Sequence, residues 1–570
     1  MKQRFTFETA LWIMAAAAAV LFRMVHLGMP GLNDSEAQAA LQAINLANGD
    51  TVLATHQPLY VLLTGALFRF FGATPFLARF LPALAGSGLV GILFLSRKRL
   101  GRRTSLAAAF LAAIDPGFVA ASRQVDSPIL GMMLLFLFLV LLLNRKYVVA
   151  GAVLGLGVLS GMHFWQGIVF LLASSGMFML LSGKGGSEIW NRIKQSAKEF
   201  MGTGGWMGFL GSTLLAGTWM LTVPGGAGEV LTGLAAYWQG WGVPFSNSLT
   251  QFILLLPTYE LLPLVAGIGF GVFAILRENR RAQFLMLYFL LALILTLAYP
   301  ARNVLDMTWV ILSLLLLTAK AVDELLAQAS GNWLPSGGLG LAVAILVTFA
   351  LYSGLLLFTQ GTAGQNLELR IISLIGALVV AAFLIILMAW AWSGPTGIAG
   401  LGIGLLALGL CFTVGQSFRA SGLGAFPELE LLRNSSRTVH PNLLVSTLES
   451  ISSWNNGAKN DTPIAVVGED SPSLRWELRN FTRAAYYSAF PAGETPEIVI
   501  TTIQSSPASP SSYTGQDLVW TSDAEWGALT SQEWLNWFLK RSVPSIDRSV
   551  IVWGRTDIMP VGQSGTGEIP

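Results

Sequence analysis

The chain has 570 residues, of which 53% are hydrophobic and only 11% charged, with a formal net charge of +3 and a mean hydropathy of +0.61. Soluble proteins carry about 25% charged residues, so an ordinary soluble enzyme is excluded. The small, scattered basic excess also excludes a nucleic-acid-binding surface as the main purpose. A lone cysteine, Cys411, rules out an intramolecular disulfide, and the histidines at 26, 56, 163 and 440 lack zinc spacing.

Apolar runs of roughly 18 or more residues recur through the first three quarters and predict transmembrane helices. Lys2 and Arg4 precede an apolar run to Gly28. No Ala-x-Ala-like cleavage site follows, so this run reads as a retained first span with its N-terminus inside. The loop 29–78 then gathers two acids at the membrane edge in Asn33-Asp34-Ser35-Glu36-Ala37, followed by His56-Gln57-Pro58-Leu59-Tyr60. Charge at such an edge is costly unless solvated or used. Ser35 with Gln38 three residues on fits a capping box, with Asp34 and Glu36 at a positive helix end. A carboxylate held there also suits proton abstraction from a hydroxyl.

The apolar stretch 59–71 is short and broken by Arg69 and Gly72, and reads as a helix at the outer interface. The basic segment Arg97-Lys98-Arg99-Leu100-Gly101-Arg102-Arg103 belongs inside, which makes 79–96 the second span. Further spans are expected near 104–121, 128–143, 147–162, 164–182, 204–223, 250–274, 282–299, 304–321, 339–360, 370–392 and 398–416. Asp115-Pro116 and Ser393-Gly394-Pro395 interrupt two of these stretches. The total is about thirteen, with short inner loops richer in Lys and Arg.

Several polar residues fall at span ends. Arg123-Gln124-Val125-Asp126 is either a structural ion pair or turn, or it sets Asp126 as a second carboxylate beside the first-loop acids. Arg302 after Tyr299-Pro300-Ala301 either snorkels or meets a lipid phosphate, which guanidinium pairs through two parallel hydrogen bonds. Glu260 falls inside a span, where an ionisable group is a functional expectation by default. Tyr237-Trp238-Gln239-Gly240-Trp241 reads as an interfacial belt, or as a surface on which a sugar stacks. After Gln416 the chain turns polar. Strands are expected at 464–468, 497–501, 518–521 and 550–553, with helices at 472–487 and 533–541, a small soluble α/β domain over 417–570.

Taken together, Ser35-Glu36-Ala37, His56-Gln57-Pro58-Leu59-Tyr60, Phe71-Gly72, Ala78-Arg79-Phe80-Leu81-Pro82-Ala83-Leu84 and Ser122-Arg123 with Asp126 resemble the polyprenyl-phosphate-dependent glycosyltransferases of the GT-C fold. The bacterial protein-mannosyltransferase-like family and the lipid A aminoarabinose transferases are the nearest in pattern. The resemblance implies an all-α polytopic GT-C-like domain over 1–416 and an extracytoplasmic domain behind it. It further implies inverting transfer of a sugar from a polyprenyl-phosphate donor to an acceptor hydroxyl of a protein, lipid or glycan on the outer face. Asp34, Glu36 and Asp126 become the catalytic candidates. Arg302, Arg123, His56, Tyr60, Arg79 and Trp238 become candidates for holding donor phosphate or substrate. The family's catalytic Asp stands directly before its Glu, where this chain has Ser35 and carries Asp34 one position earlier. No metal ligand set is evident, although some relatives use a divalent metal. A non-catalytic receptor or assembly scaffold, and a lipid transporter or flippase, remain the competing readings.

Overall fold

A computed structural model gives the architecture and describes residues 6–50, 57–182, 184–221, 230–245, 247–360, 367–423, 430–433, 436–490, 495–502 and 512–558. Each of the thirteen expected stretches is helical. Seven helices are by themselves long and apolar enough to cross a membrane, among them Phe7–Met24, Pro75–Leu100 and Gly394–Ala420. Two more qualify as bent pairs: Arg102–Ile114 with Pro116–Ser122, bent by 59°, and Leu249–Tyr259 with Pro263–Leu276, bent by 87°. By length and composition, seven to nine described helices therefore qualify, against the thirteen expected. Ile129–Leu143, Tyr147–Val158 and Gly205–Gly217 are shorter, and Met307–Ala329 carries Lys320, Asp323 and Glu324 near one end.

The two bends share a cause and a staple. Pro116 and Pro263 lack the N–H that would continue the ladder; Asp115 before the first is extended, and the second pair breaks at Glu260, with φ −111° and ψ 33°. The groups freed at the breaks find side chains. The Gly117 N–H donates to Glu260 Oε1 at 2.9 Å, and the Phe118 N–H donates to Asp115 Oδ1 at 2.9 Å. Buried Arg23 donates to the carbonyls of Ala112 and Ala113, each at 2.9 Å, at the end of the preceding helix. Helix termini left unsatisfied in hydrocarbon cost several kcal/mol per group, so these buried charges close the backbone ledger. Glu260 is accounted for as such a staple.

Helix Tyr147–Val158 packs on Gly205–Gly217 through glycines. A Cβ on Gly151 would lie 1.8 Å from the Gly205 carbonyl oxygen, and one on Gly208 would lie 2.1 Å from that of Val148. Small residues four apart, as at Gly151 and Gly155, permit this backbone approach where no hydrophobic drive between helices exists.

Beyond Ala420 the chain builds a six-stranded sheet. Its strands are β1 (Arg437–Thr438), β2 (Ile464–Val467), β3 (Ala484–Tyr487), β4 (Ile498–Thr502), β5 (Tyr513–Ala524) and β6 (Ser545–Arg555), in the order β1-β5-β6-β4-β2-β3. β2 runs parallel to both neighbours, and the other pairs are antiparallel. Ile464, Val466, Ile498, Ile500, Val550 and Val552 pack one face against Leu444, Leu448, Leu474 and Leu478. The expected long helix at 472–487 is corrected. It spans only Pro472–Glu477, turns through Leu478–Asn480, and gives way to strand β3. β3 is the edge strand, its four residues half-buried, and its pairing along β2 outweighs the local helical pattern there.

The sheet domain is anchored on the loop that follows the first helix. Buried Trp476 sits in a cluster with Tyr60, Val61, Phe68 and Ala78. Arg479 stacks on Trp476 at 4.3 Å and donates to the Ala73 carbonyl. Thr438 donates to the Leu32 carbonyl at 2.8 Å.

Gly151→Val forces the two helices apart. Overpacking of this kind costs about 1–3 kcal/mol, so the purified variant should show a clear fall in thermal midpoint in detergent. An unchanged midpoint means that the close approach is not needed.

Candidate functional site

The site is built where the helix Asp34–Asn48 begins. Its N-cap is Asn33, whose Oδ1 accepts from the Glu36 N–H at 2.9 Å while Glu36 Oε2 accepts from the Asn33 N–H at 3.3 Å. The capping box is thus Asn33 with Glu36, one register earlier than the Ser35–Gln38 pairing expected. Asn is as strong a cap as Ser, and Ser35 instead donates to Asn33 Oδ1.

Glu36 does more than cap. It is buried and forms a two-pronged pair with Arg79, Nε to Oε1 at 2.9 Å and NH2 to Oε2 at 2.5 Å. The Val125 N–H adds a bond to Oε1 at 3.2 Å. Arg79 spends its remaining donors on the carbonyls of Leu27, Pro30 and Gly31. Both groups are saturated. Glu36 has no oxygen left to take a substrate proton, and Arg79 has no fork left for a phosphate. They hold together three stretches: residues 27–36, the start of Pro75–Leu100, and the turn at 123–126.

Arg123 does not pair with Asp126. Its NH1 donates to the carbonyls of Phe22, Arg23 and Val25, tying the turn to the end of the first helix. Tyr60 is likewise buried, donating to the Ala78 carbonyl at 2.8 Å. Arg302 donates to the carbonyls of Leu297 and Asn247 at 2.7 and 2.6 Å, with its guanidinium over Phe245 and Phe252. Trp238 is 63% exposed, while its neighbour Tyr237 stacks on Tyr299. His56 lies outside the described residues.

The two remaining acids are differently placed. Asp34 is half-buried, and its Oδ1 accepts from the Ser473 N–H of the sheet domain at 3.0 Å. Asp126 accepts from Gln57 Nε2 at 2.9 Å and faces His163 Nε2 at 3.6 Å. The other ring nitrogen of His163 lies 3.0 Å from Asp306 Oδ1. Asp306 Oδ2 in turn accepts from the Asn303 N–H, and the Asn303 side chain donates to the Asp126 carbonyl. An imidazole thus bridges two carboxylates on a polar wall lined by Gln57 and Asn303.

His163 escaped the sequence reading. The available signal is a histidine in the first turn of an apolar helix, two residues after its N-cap Gly161. Among the described residues no group of three His, Cys, Asp or Glu side chains is arranged to hold a metal ion. The imidazole's two nitrogens are each turned to a different acid, so no step is routed through a metal here.

Residues 55–197 match the family described as dolichyl-phosphate-mannose-protein mannosyltransferase. Among solved structures, ArnT from Cupriavidus metallidurans bound to undecaprenyl phosphate aligns at a TM-score of 0.56 and 16% identity, covering 97% of this chain and 100% of that one. The same protein in the apo state aligns at 0.55 and 15%, covering 98% and 100%. No curated protein matches the chain. The fold is thus the GT-C-like fold of ArnT over nearly the whole length, and the chain is a multi-pass membrane protein.

Arg79→Met leaves Glu36 charged and unpaired, at a cost of about 3–5 kcal/mol. Its unfolding midpoint should fall well below wild type, and the double variant Glu36→Leu/Arg79→Met should recover part of the loss. Equal stability of the single variant and wild type would remove the pair from its organising role.

Proposed function

We propose that the protein transfers a sugar from a polyprenyl-phosphate-linked donor to an acceptor hydroxyl on the outer face of the membrane. The single observation carrying this reading is the ArnT-like fold at 97% coverage of the chain, with the match over 55–197 in support. The fold is a prior and the site must carry the chemistry. What supports it there is the held carboxylate of Asp34 and the Asp126–His163–Asp306 cluster, at the end of the bundle opposite the basic segment 97–103. By the positive-inside rule that basic end is cytoplasmic. The site and the sheet domain clamped over it through Ser473 and Thr438 are then extracytoplasmic. The chain divides accordingly into a membrane part, 1–416, and an outer part, 417–570.

In this reading the base is Asp34. Glu36 is saturated, whereas Asp34 is held rigidly by the Ser473 N–H through one oxygen and has its second oxygen for the acceptor. The carboxylate takes the acceptor hydroxyl proton as that oxygen attacks the anomeric carbon. The carbon–oxygen bond to the polyprenyl phosphate breaks, and the phosphate leaves with the electron pair, inverting the anomeric centre. Asp126, His163 and Asp306 orient the sugar hydroxyls from the opposite wall. Arg302 is assigned to holding the 299–303 turn against Asn247 rather than to the phosphate, because its forks already meet carbonyls.

The test is release of polyprenyl phosphate by the purified chain from a panel of polyprenyl-phosphate sugars. Asp34→Asn keeps an oxygen for the Ser473 N–H, so it should fold normally yet lose about a hundredfold or more in kcat. Asp126→Asn should raise KM more than it lowers kcat. If the donors bind and none turns over in wild type, a non-catalytic scaffold replaces the transferase.

A further inference from the structure

A polar cavity lies beside the 123–126 turn, against the Asn33 and Glu36 end of the helix Asp34–Asn48. It measures about 230 Å³ and is lined by five arginines, 79, 123, 419, 433 and 437, against two glutamates, 36 and 430. Both glutamates already have partners. Glu36 holds Arg79, and Glu430 accepts from the Tyr259 hydroxyl and pairs with Arg541 at 3.9 Å. The lining is therefore left with a positive excess.

Arg433 marks the focus. Its guanidinium makes no hydrogen bond or ion pair among the described residues, and it feels the like charges of Arg437 and Arg79 against the opposite charges of Glu36 and Glu430. Burial and those like charges pull it down to about 10. Like charges gathered out of water are costly. Arg419, in the last turn of Gly394–Ala420, is exposed and adds another guanidinium at the rim.

The location narrows the ligand. Leu27 follows the first helix, Ala120 and Arg123 end the first bent pair, and Ala420 to Gly422 follow the last apolar helix. The cavity thus opens where several apolar helices end together, at the level of the bilayer headgroups. Guanidinium pairs with phosphate through two parallel hydrogen bonds, and Arg is favoured at such sites.

We propose that this cavity is an anion site for a phosphate ester, held by Arg433, Arg437 and Arg419. It stands on charge and position alone, and does not rest on the transferase reading. A lipid headgroup and a free phosphate share the chemistry, and the experiment separates them.

Full-length protein in neutral detergent is titrated with inorganic pyrophosphate in one arm and with dihexanoyl phosphatidic acid in the other, following thermal midpoint and calorimetric binding. At least one arm should bind, and binding should weaken about tenfold or more in Arg433→Gln and in Arg419→Gln. Binding of the phosphatidic acid alone identifies a lipid site, and binding of both identifies a site for the phosphate itself. Without ligand, Arg433→Gln should be as stable as wild type or more so, since it relieves repulsion. A merely structural arginine would instead lose stability on substitution. Should Arg433→Gln fail to fold, the structural role is the answer and the proposal is overturned. No binding in either arm, or binding unchanged in both variants, also overturns it.

Discussion

The buried pair of Glu36 and Arg79 is the constraint on which the end of the bundle that carries the sheet domain depends. One carboxylate accepts from a guanidinium, from its own helix N-terminus and from the Val125 N–H, while the guanidinium gathers three carbonyls of the chain that leaves the first helix. Two charges taken out of water repay their desolvation only with such complete hydrogen bonding. Here the bonding also decides geometry. Residues 27–36, the entry to Pro75–Leu100 and the 123–126 turn cannot move independently once the pair is formed. Asp34 and Asp126, each a step or two from a bonded member, inherit that rigidity.

The same economy appears deeper in the bundle. Asp115, Glu260 and Arg23 resemble functional charges when seen as a list of intramembrane ionisable residues. In place, they satisfy backbone groups released where prolines bend two helix pairs. Arg79, Arg123 and Arg302 behave likewise, donating to carbonyls where loops turn back on the bundle. What stands apart are the side-chain cluster of Asp126, His163 and Asp306, and the guanidinium of Arg433.

The sheet domain is part of this arrangement. Ser473 holds Asp34, Thr438 holds Leu32, and Trp476 fills the apolar hollow over Tyr60 and Phe68. A loop with a catalytic-type acid gains little from a rigid helix cap if the carboxylate itself swings. The N–H from the second domain removes that freedom, which is preorganisation supplied across 439 residues of sequence.

The sequence by itself determined the class of protein, the positions of the apolar helices, the switch to a soluble domain and the motif-bearing first loop. Each of these is written in local composition or short spacing: hydrophobic length, basic inner loops, a run such as Ala78 to Leu84. Which acid is spent and which is open was decided only by tertiary structure. Glu36 and Asp34 are two residues apart in one helical turn, yet Arg79 and Val125 saturate the first while Ser473 meets the second. His163 could not be paired with Asp126 and Asp306 from spacing, because the three come from separate elements brought together by bundle packing. The strand at 484–487 was likewise invisible, since its place at the sheet edge depends on parallel pairing with β2, which no local pattern writes. Local patterns fix elements, and the partners of buried polar groups are fixed by the fold.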